Sequence, residues 1–198
     1  RLEALVERGL ELVYGGGNVG LMGVIADTVM RAGGRVIGVI PQALADREIA
    51  NIGVTDLRVV DSMHTRKAMM ADLADAFVAM PGGVGTFEEF FEAVTWTQLG
   101  VHRKPCGLLN VEDFYTPLAN FIDHAVDEGF LKAVHRRAIV VSDDPDELLS
   151  AAGDPGAVEF GAFGNQGRIG AGRSHKSSFA CQTNRKRQRT NTANKDGR

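Results

Sequence analysis

The chain has 198 residues, of which 44% are hydrophobic and 24% are charged, with a net charge of −3. These proportions are ordinary for a soluble globular protein with a full core. They predict a cytoplasmic protein and argue against a membrane protein, because no apolar run approaches the length that crosses a bilayer and no signal peptide is recognisable. The two cysteines, Cys106 and Cys181, have no metal-ligand spacing, so neither a disulfide framework nor a metal site is predicted.

The charge is divided between two parts of the chain. Residues 1–156 carry 13 Lys and Arg against 23 Asp and Glu, whereas residues 157–198 carry nine against two. The second part is rich in Gly, Ser, Asn, Thr and Arg, and we predict that it is a disordered tail because it can bury little apolar area. The basic run from Asn184 to Arg189 could indicate a nucleic-acid site or a nuclear address. We interpret it as a solvated tail and expect no nucleic-acid partner.

The body of the chain, residues 1–156, alternates between strand-like and helix-like segments. The sequence begins with what reads as the end of a helix, and an irregular loop is predicted over 41–53. Strands are predicted over 10–14, 35–40, 54–60, 76–80, 105–110 and 138–141, and helices over 19–32, 63–73, 114–128, 145–151 and from the region of Glu88 to Gly100. Such alternation predicts an α/β fold of the Rossmann-like, doubly wound type, with a parallel sheet covered by helices on both faces. Ligands of such folds bind at the carboxyl ends of the strands.

A first glycine turn, Gly15 to Gly17, follows the first predicted strand. Together with Gly20 it superficially matches the dinucleotide pattern G-x-G-x-x-G, which is a weak signal when it stands alone. The next strand ends in Val39-Ile40-Pro41 without the acidic residue that the dinucleotide pattern requires. A simpler explanation is that these glycines permit close packing of helix and strand.

A second glycine turn lies in the run from Pro81 to Glu89, PGGVGTFEE, between a buried strand and a helix. Glycines let the backbone approach a ligand, and the free amides at a helix N-terminus favour a phosphate. Glu88 and Glu89 would repel that phosphate, so their presence indicates chemistry beside it. Thr86 and Glu89 also fit a capping box, which is the purely structural interpretation. No Gly-Lys-Ser/Thr follows, which argues against hydrolysis of a nucleoside triphosphate.

Arg66 and Lys67 are predicted to lie in the first turn of a helix, where the helix dipole disfavours cations. They are therefore candidate partners of an anion, although two solvated surface charges are the usual explanation of such a pair. The neighbouring His64 is interpreted as structural.

Three motifs carry a resemblance to a known family: YGGGNVGLMG from Tyr14 to Gly23, MHTRKA from Met63 to Ala68, and PGGVGTFEE from Pro81 to Glu89. In this order they resemble the LOG family of cytokinin riboside 5′-monophosphate phosphoribohydrolases, formerly called lysine decarboxylase-like. The resemblance runs from about residue 1 to residue 150. It implies hydrolysis of the N-glycosidic bond of AMP or an N6-modified AMP to free base and ribose 5-phosphate, either for cytokinin activation or as an AMP nucleosidase. It further implies a homodimer that needs no cofactor.

The resemblance also assigns roles to residues of this chain. Arg66 and Glu89 are the implied catalytic pair, and the motif favours Glu89 over Glu88 without ranking them securely. The implied substrate-binding residues are Gly16, Gly17, Glu48, Lys67, Gly82, Gly83, Val84, Gly85, Thr86, Glu88 and Thr95. Among them the glycines of the second turn and Thr86 would hold the 5′-phosphate.

Three other interpretations remain open. A carrier of the same fold could bind a nucleotide or a molybdenum cofactor without hydrolysis, although it would not require both Arg66 and Glu89. A pyridoxal-phosphate decarboxylase would follow from the old family label, but no Lys stands in a recognisable Schiff-base setting. The chain could also be an inactive truncated fragment, because the family's first strand and its Cys-Gly-Ser-Ser loop are not found before residue 1.

Overall fold

The computed structural model describes residues 3–153 and 178–182. In this part of the chain seven strands form one sheet in the order β3-β2-β1-β7-β4-β5-β6, and all the pairs are parallel. The strands are β1 Glu11–Tyr14, β2 Val36–Pro41, β3 Asp56–Val60, β4 Ala76–Ala79, β5 Cys106–Leu109, β6 Ile139–Ser142 and β7 Ser178–Gln182. The predicted parallel α/β fold is confirmed.

Helices connect these strands. They are α1 Glu3–Glu7, α2 Leu21–Arg31, α3 Gln42–Leu44, α4 Met63–Leu73, α5 Val84–Gln98, α6 Thr116–Asp127, α7 Ala133–Arg136 and α8 Pro145–Gly153. A π-helical turn, Ala45–Ile49, continues α3, so the irregular loop predicted over 41–53 is in large part helical. Neither α3 nor α7 is long enough to show helical periodicity in the sequence. In the described ranges no helix has the length and apolar character needed to span a bilayer.

Helices cover both faces of the sheet, and its inner strands β2 and β5 are apolar throughout. All six residues of β2 and all four of β5 are buried, as is typical of parallel strands that lie between two helical layers. One hydrophobic cluster joins the sheet to α4, α5 and α6, and it includes Phe90, which is 1% exposed. The other cluster joins the sheet to α1, α2 and α8. Burial of a side chain such as that of Phe90 stabilises the fold by about 1.5–3 kcal/mol.

The centre of the sheet contains a strand that the sequence did not predict. β7 lies between β1 and β4, with Ala180 paired to Val13 on one side and to Phe77 on the other. The prediction of disorder over 157–198 is therefore wrong for Ser178–Gln182, and the rest of that range, including the basic run, lies outside the described residues. A five-residue strand inside a low-complexity segment is hard to predict from its own sequence, because its formation depends on pairing with the strands on either side.

Candidate active site

A cavity of about 350 Å³ opens at the carboxyl edge of the sheet, where β1, β2 and β4 end. The two glycine turns and the first turns of α4 and α5 meet there. One wall is polar and is formed by Gly15, Gly17, Arg66, Gly85, Glu88 and Glu89. The sequence therefore located this wall correctly, because the carboxyl ends of neighbouring parallel strands lie along one edge.

The remaining lining of the cavity forms an apolar wall, and sequence reasoning missed it. It consists of Val19, Met22, Ile40, Leu44, Ile49 and Met63. Met63 lies one helical turn before Arg66, so its position could have been inferred from the helix period. Leu44 and Ile49 could not, because the segment that carries them was predicted to be an irregular loop.

The first glycine turn is tied to the segment that follows the π-helical turn. Gly16 has a φ of 72°, a conformation that favours glycine. Its carbonyl oxygen accepts a hydrogen bond from the Asn51 amide at 2.8 Å, and the Asn18 amide donates to the Ile49 carbonyl oxygen at 2.9 Å. These bonds hold the turn as a rigid border of the cavity. Gly17 lines that cavity, whereas Gly16 is buried beneath it.

The second turn leads directly into α5, whose N-cap is Gly83 without a side-chain capping bond. Thr86 lies inside the first turn of the helix, so the capping-box interpretation of Thr86 and Glu89 is wrong. The Thr86 side chain is 1% exposed, and its Oγ1 has no hydrogen-bond partner in the described ranges. A Cβ atom on Gly82 would lie 2.2 Å from that oxygen, so the turn requires glycine at this position. A buried hydroxyl without a partner lowers the stability of the fold by about 1–3 kcal/mol. A ligand that forms a hydrogen bond with the hydroxyl would recover that free energy.

Arg66 and Glu89 form a nearly buried ion pair. Arg66 Nη1 donates to Glu89 Oε1 at 3.0 Å, and Arg66 Nε donates to the Val39 carbonyl oxygen at 3.2 Å. Burial raises the pKa of Glu89, and the Arg66 charge opposes that rise only in part. A carboxyl group of raised pKa in a cavity, paired with a fixed guanidinium, is suited to proton transfer and to stabilisation of charge.

Lys67 does not line the cavity. Its Nζ contacts Glu88 Oε1 at 2.7 Å and Glu92 Oε1 at 3.0 Å. Burial opposes the charge of Lys67, but the hydrogen bonds with Glu88 and Glu92 outweigh it and raise the pKa of the ammonium group. The structure therefore places Lys67 against two carboxylates, and Glu92 is a member of the network that the sequence did not indicate.

The other predicted site residues are less closely gathered. Thr95 is exposed, its hydroxyl donates to the Phe91 carbonyl oxygen at 2.6 Å, and it does not line the cavity. Val84 is 81% exposed at the start of α5. Glu48 belongs to the π-helical turn between two residues of the apolar wall, and its side chain lies outside the described structure.

The sequence is similar to that of proteins of known activity. Residues 22–152 match the family model described as "Possible lysine decarboxylase". The chain is 54% identical over 145 residues to cytokinin riboside 5′-monophosphate phosphoribohydrolase LOG2 of Arabidopsis thaliana. This match covers 73% of this chain and 68% of that protein. It is also 54% identical over 145 residues to the enzyme LOG of Oryza sativa subsp. japonica, and the match covers 73% of this chain and 60% of that protein.

A bacterial relative gives a similar match. The cytokinin riboside 5′-monophosphate phosphoribohydrolase of Rhodococcoides fascians is 50% identical over 153 residues, or 77% of each chain. The matched part of this chain thus spans between 60% and 77% of the three relatives.

Proposed function

This chain belongs to the LOG family, and we propose that it hydrolyses the N-glycosidic bond of a nucleoside 5′-monophosphate to release the free base and ribose 5-phosphate. The observation that carries this proposal is the nearly buried pair of Arg66 and Glu89 in the wall of a cavity between two glycine turns. The relatives named above are phosphoribohydrolases, which supports the same reaction class.

In this proposal the substrate phosphate lies at the N-terminus of α5. The helix begins without a side-chain cap, so its first amides are available to an anion. Gly82, Gly83 and Gly85 keep side chains away from the turn, and Thr86 offers a buried hydroxyl that lacks a partner. A phosphate oxygen would accept a hydrogen bond from that hydroxyl and remove its desolvation cost.

The reaction takes place beside the phosphate, at the sugar carbon that bears the base. The C–N bond breaks with its electron pair on the base nitrogen, water adds to the sugar carbon, and one proton of the water is transferred to the base. Loss of the base builds positive charge on the sugar, which a carboxylate stabilises. Glu89 supplies that carboxylate and polarises the water, and Glu88 contacts the ribose.

Arg66 orients the reacting groups. Its guanidinium holds one oxygen of Glu89 at 3.0 Å and is itself held by the Val39 carbonyl oxygen. A carboxylate fixed in this way loses little freedom when the substrate binds, which favours reaction. The same guanidinium neutralises charge that develops on the leaving base.

The base would lie against the apolar wall. Met22, Leu44 and Ile49 offer aliphatic surface close to the first glycine turn. Adenine and an apolar substituent on its N6 atom both gain free energy when they leave water for such a surface. This wall supports N6-modified AMP as the preferred substrate, with AMP as the weaker one.

A homodimer is proposed from the outer face of α5. Three large apolar side chains lie exposed along or just beyond this helix: Val84 is 81%, Phe91 37% and Leu99 70% exposed. They recur at the helical period with Glu88 and Thr95 between them, so one surface of a second copy could cover all of them. Thr95 would then be next to the partner. Light scattering of Phe91→Glu/Leu99→Glu against the unchanged chain tests this interface, and a dimer in both would contradict it.

The experiment that tests the function is base release. The protein is incubated with AMP and with N6-isopentenyl-AMP, and free base is separated by chromatography. Glu89→Gln should abolish release, whereas Glu128→Gln, an exposed carboxylate at the end of α6, should not change it. Binding of nucleotide without release by the unchanged chain would support a carrier instead and would refute the proposal.

A further inference from the structure

Gly15 lies directly after β1 and faces the guanidinium of Arg66. A Cβ atom built on Gly15 would be 2.0 Å from Arg66 Nη2 and 3.1 Å from Arg66 Cζ. Real Cβ atoms do not come so close to another heavy atom, so a side chain at residue 15 and the observed position of Arg66 exclude each other. Both residues line the same cavity.

The backbone of Gly15 does not itself require glycine. The described glycines with positive φ are Gly9, Gly16, Gly20, Gly33, Gly100 and Gly129, and Gly15 is not among them. Its φ therefore does not demand glycine, and the space that Arg66 occupies is what excludes a side chain in the observed structure. This distinguishes Gly15 from Gly16, whose φ of 72° favours glycine whatever its surroundings.

Arg66 has little room to retreat while keeping its contacts. Its Nε is bonded to the Val39 carbonyl oxygen and its Nη1 to Glu89, and the residue is only 8% exposed. In the described ranges Nη2, on the side of Gly15, makes no hydrogen bond to the protein, so its protons remain available to a substrate. Since the end of a long side chain moves more easily than the backbone, a methyl group at residue 15 would displace the guanidinium.

We propose that Gly15 is a positioning residue whose missing side chain lets Arg66 lie between Val39 and Glu89 with Nη2 directed at the substrate. Its kinetic consequence rests on the proposed function, but the placement of Arg66 does not. The first glycine turn thus fixes the position of Arg66 beside Glu89, in addition to forming the border of the cavity.

The test compares Gly15→Ala with the unchanged chain, with Arg66→Ala and with a matched control, Gly107→Ala. In the control the new methyl group would lie 3.0 Å from Leu148 Cδ1, in the core and away from the cavity. The first readout is the NMR titration of the Glu89 carboxyl carbon. Displacement of the Arg66 guanidinium weakens the charge interaction that lowers the pKa of Glu89, and Arg66→Ala removes it, so that pKa should rise in Gly15→Ala and in Arg66→Ala, but not in Gly107→Ala.

The second readout is base release. Gly15→Ala should lower kcat on the order of 100-fold, because the catalytic group is displaced by about an ångström or more. An unchanged Glu89 titration in Gly15→Ala would overturn the proposal, even if kcat fell, because the loss would then come from direct obstruction of the substrate. The titration requires no turnover, so it decides the role of Gly15 even if the unchanged chain releases no base.

A third comparison covers the case in which Gly15→Ala folds poorly. If the methyl group acts through Arg66, it should lower Tm in the unchanged background but much less in the Arg66→Ala background, where the space is free. Equal losses of Tm in both backgrounds would overturn the proposal.

Discussion

The side chains of Arg66 and Glu89 are buried deeply enough that each needs the other to balance its charge. Their side chains are 10% and 13% exposed, and 3.0 Å separates Arg66 Nη1 from Glu89 Oε1. A buried ion pair adds little net stability, because desolvation of the charges offsets their attraction, but removal of one partner leaves an uncompensated charge. The pair therefore serves the site more than the fold.

The ion pair predicts an unusual pattern of stability. Arg66→Ala should lower the free energy of unfolding by about 3 kcal/mol, because Glu89 loses its partner. Replacement of both residues, in Arg66→Met/Glu89→Leu, should cost less than Arg66→Ala alone. Urea unfolding of the single and double variants checks this, and a double variant less stable than Arg66→Ala would contradict it.

The raised pKa of Glu89 predicts the pH dependence of the reaction. The reaction requires the carboxylate, so activity should fall as the pH drops through the pKa of Glu89. Because burial raises that pKa in the free protein, the acid limb of kcat/KM, which reports the free enzyme, should lie above the pKa of an ordinary glutamate. Arg66→Lys keeps a charge near Glu89 and should move the limb less than Arg66→Ala does. An acid limb at the ordinary glutamate value would show that Glu89 is not the titrating group.

At the scale of elements, the start of α5 is built for a ligand at the expense of stability. The helix begins at Val84 without a side-chain cap, and the Thr86 hydroxyl is buried without a partner. Farther along the same helix, Thr97 is also buried, but its hydroxyl contacts the carbonyl oxygens of Ala93 and Lys104, each at 3.1 Å. The two threonines therefore form a natural comparison between an unsatisfied and a satisfied hydroxyl.

Replacement of each threonine by valine should change stability in opposite directions. Thr86→Val removes an unsatisfied hydroxyl and should stabilise the free protein by about 1 kcal/mol, whereas Thr97→Val should destabilise it by a similar amount. Thr86→Val should also weaken AMP binding about tenfold, the effect of losing about 1.4 kcal/mol. Thermal unfolding and calorimetric titration measure both effects, and a Thr86→Val protein that is less stable yet binds AMP normally would contradict the assignment.

At the scale of the whole molecule, β7 joins the two halves of the sheet. It is the only described strand between β1 and β4, the strands that lead into the two glycine turns. The distance between those turns, and with it the width of the cavity, is therefore set by a strand that begins about a hundred residues after β4 ends. A change that disrupts the pairing of β7 should therefore disrupt the cavity as well.

A proline in the middle of β7 tests that dependence. Ala180→Pro removes a backbone N–H from a strand that is paired on both sides, which should cost about 3 kcal/mol or more. Ala133→Pro is the matched control, because it is the first residue of α7, where proline is tolerated. The free energy of unfolding measured in urea and the rate of base release should both fall in Ala180→Pro and stay unchanged in Ala133→Pro. A variant that unfolds like the control would show that the sheet does not depend on β7.

The sequence by itself determined the alternation of strands and helices, the two glycine turns and the edge of the sheet at which they meet. These features are local: burial on both faces makes a continuous apolar run, and a helix repeats its apolar residues at a fixed period. The bounds of α4 were predicted without error for this reason.

Only the tertiary structure decided which residues meet. It paired Arg66 with Glu89 across 23 positions, bonded Lys67 to Glu88, made Thr86 part of the first turn of α5, and put β7 in the centre of the sheet. Such contacts depend on how helices pack on the sheet and on which strand edges remain unpaired. Neither is written in a local pattern, because the free energy of each contact comes from residues far apart in the chain.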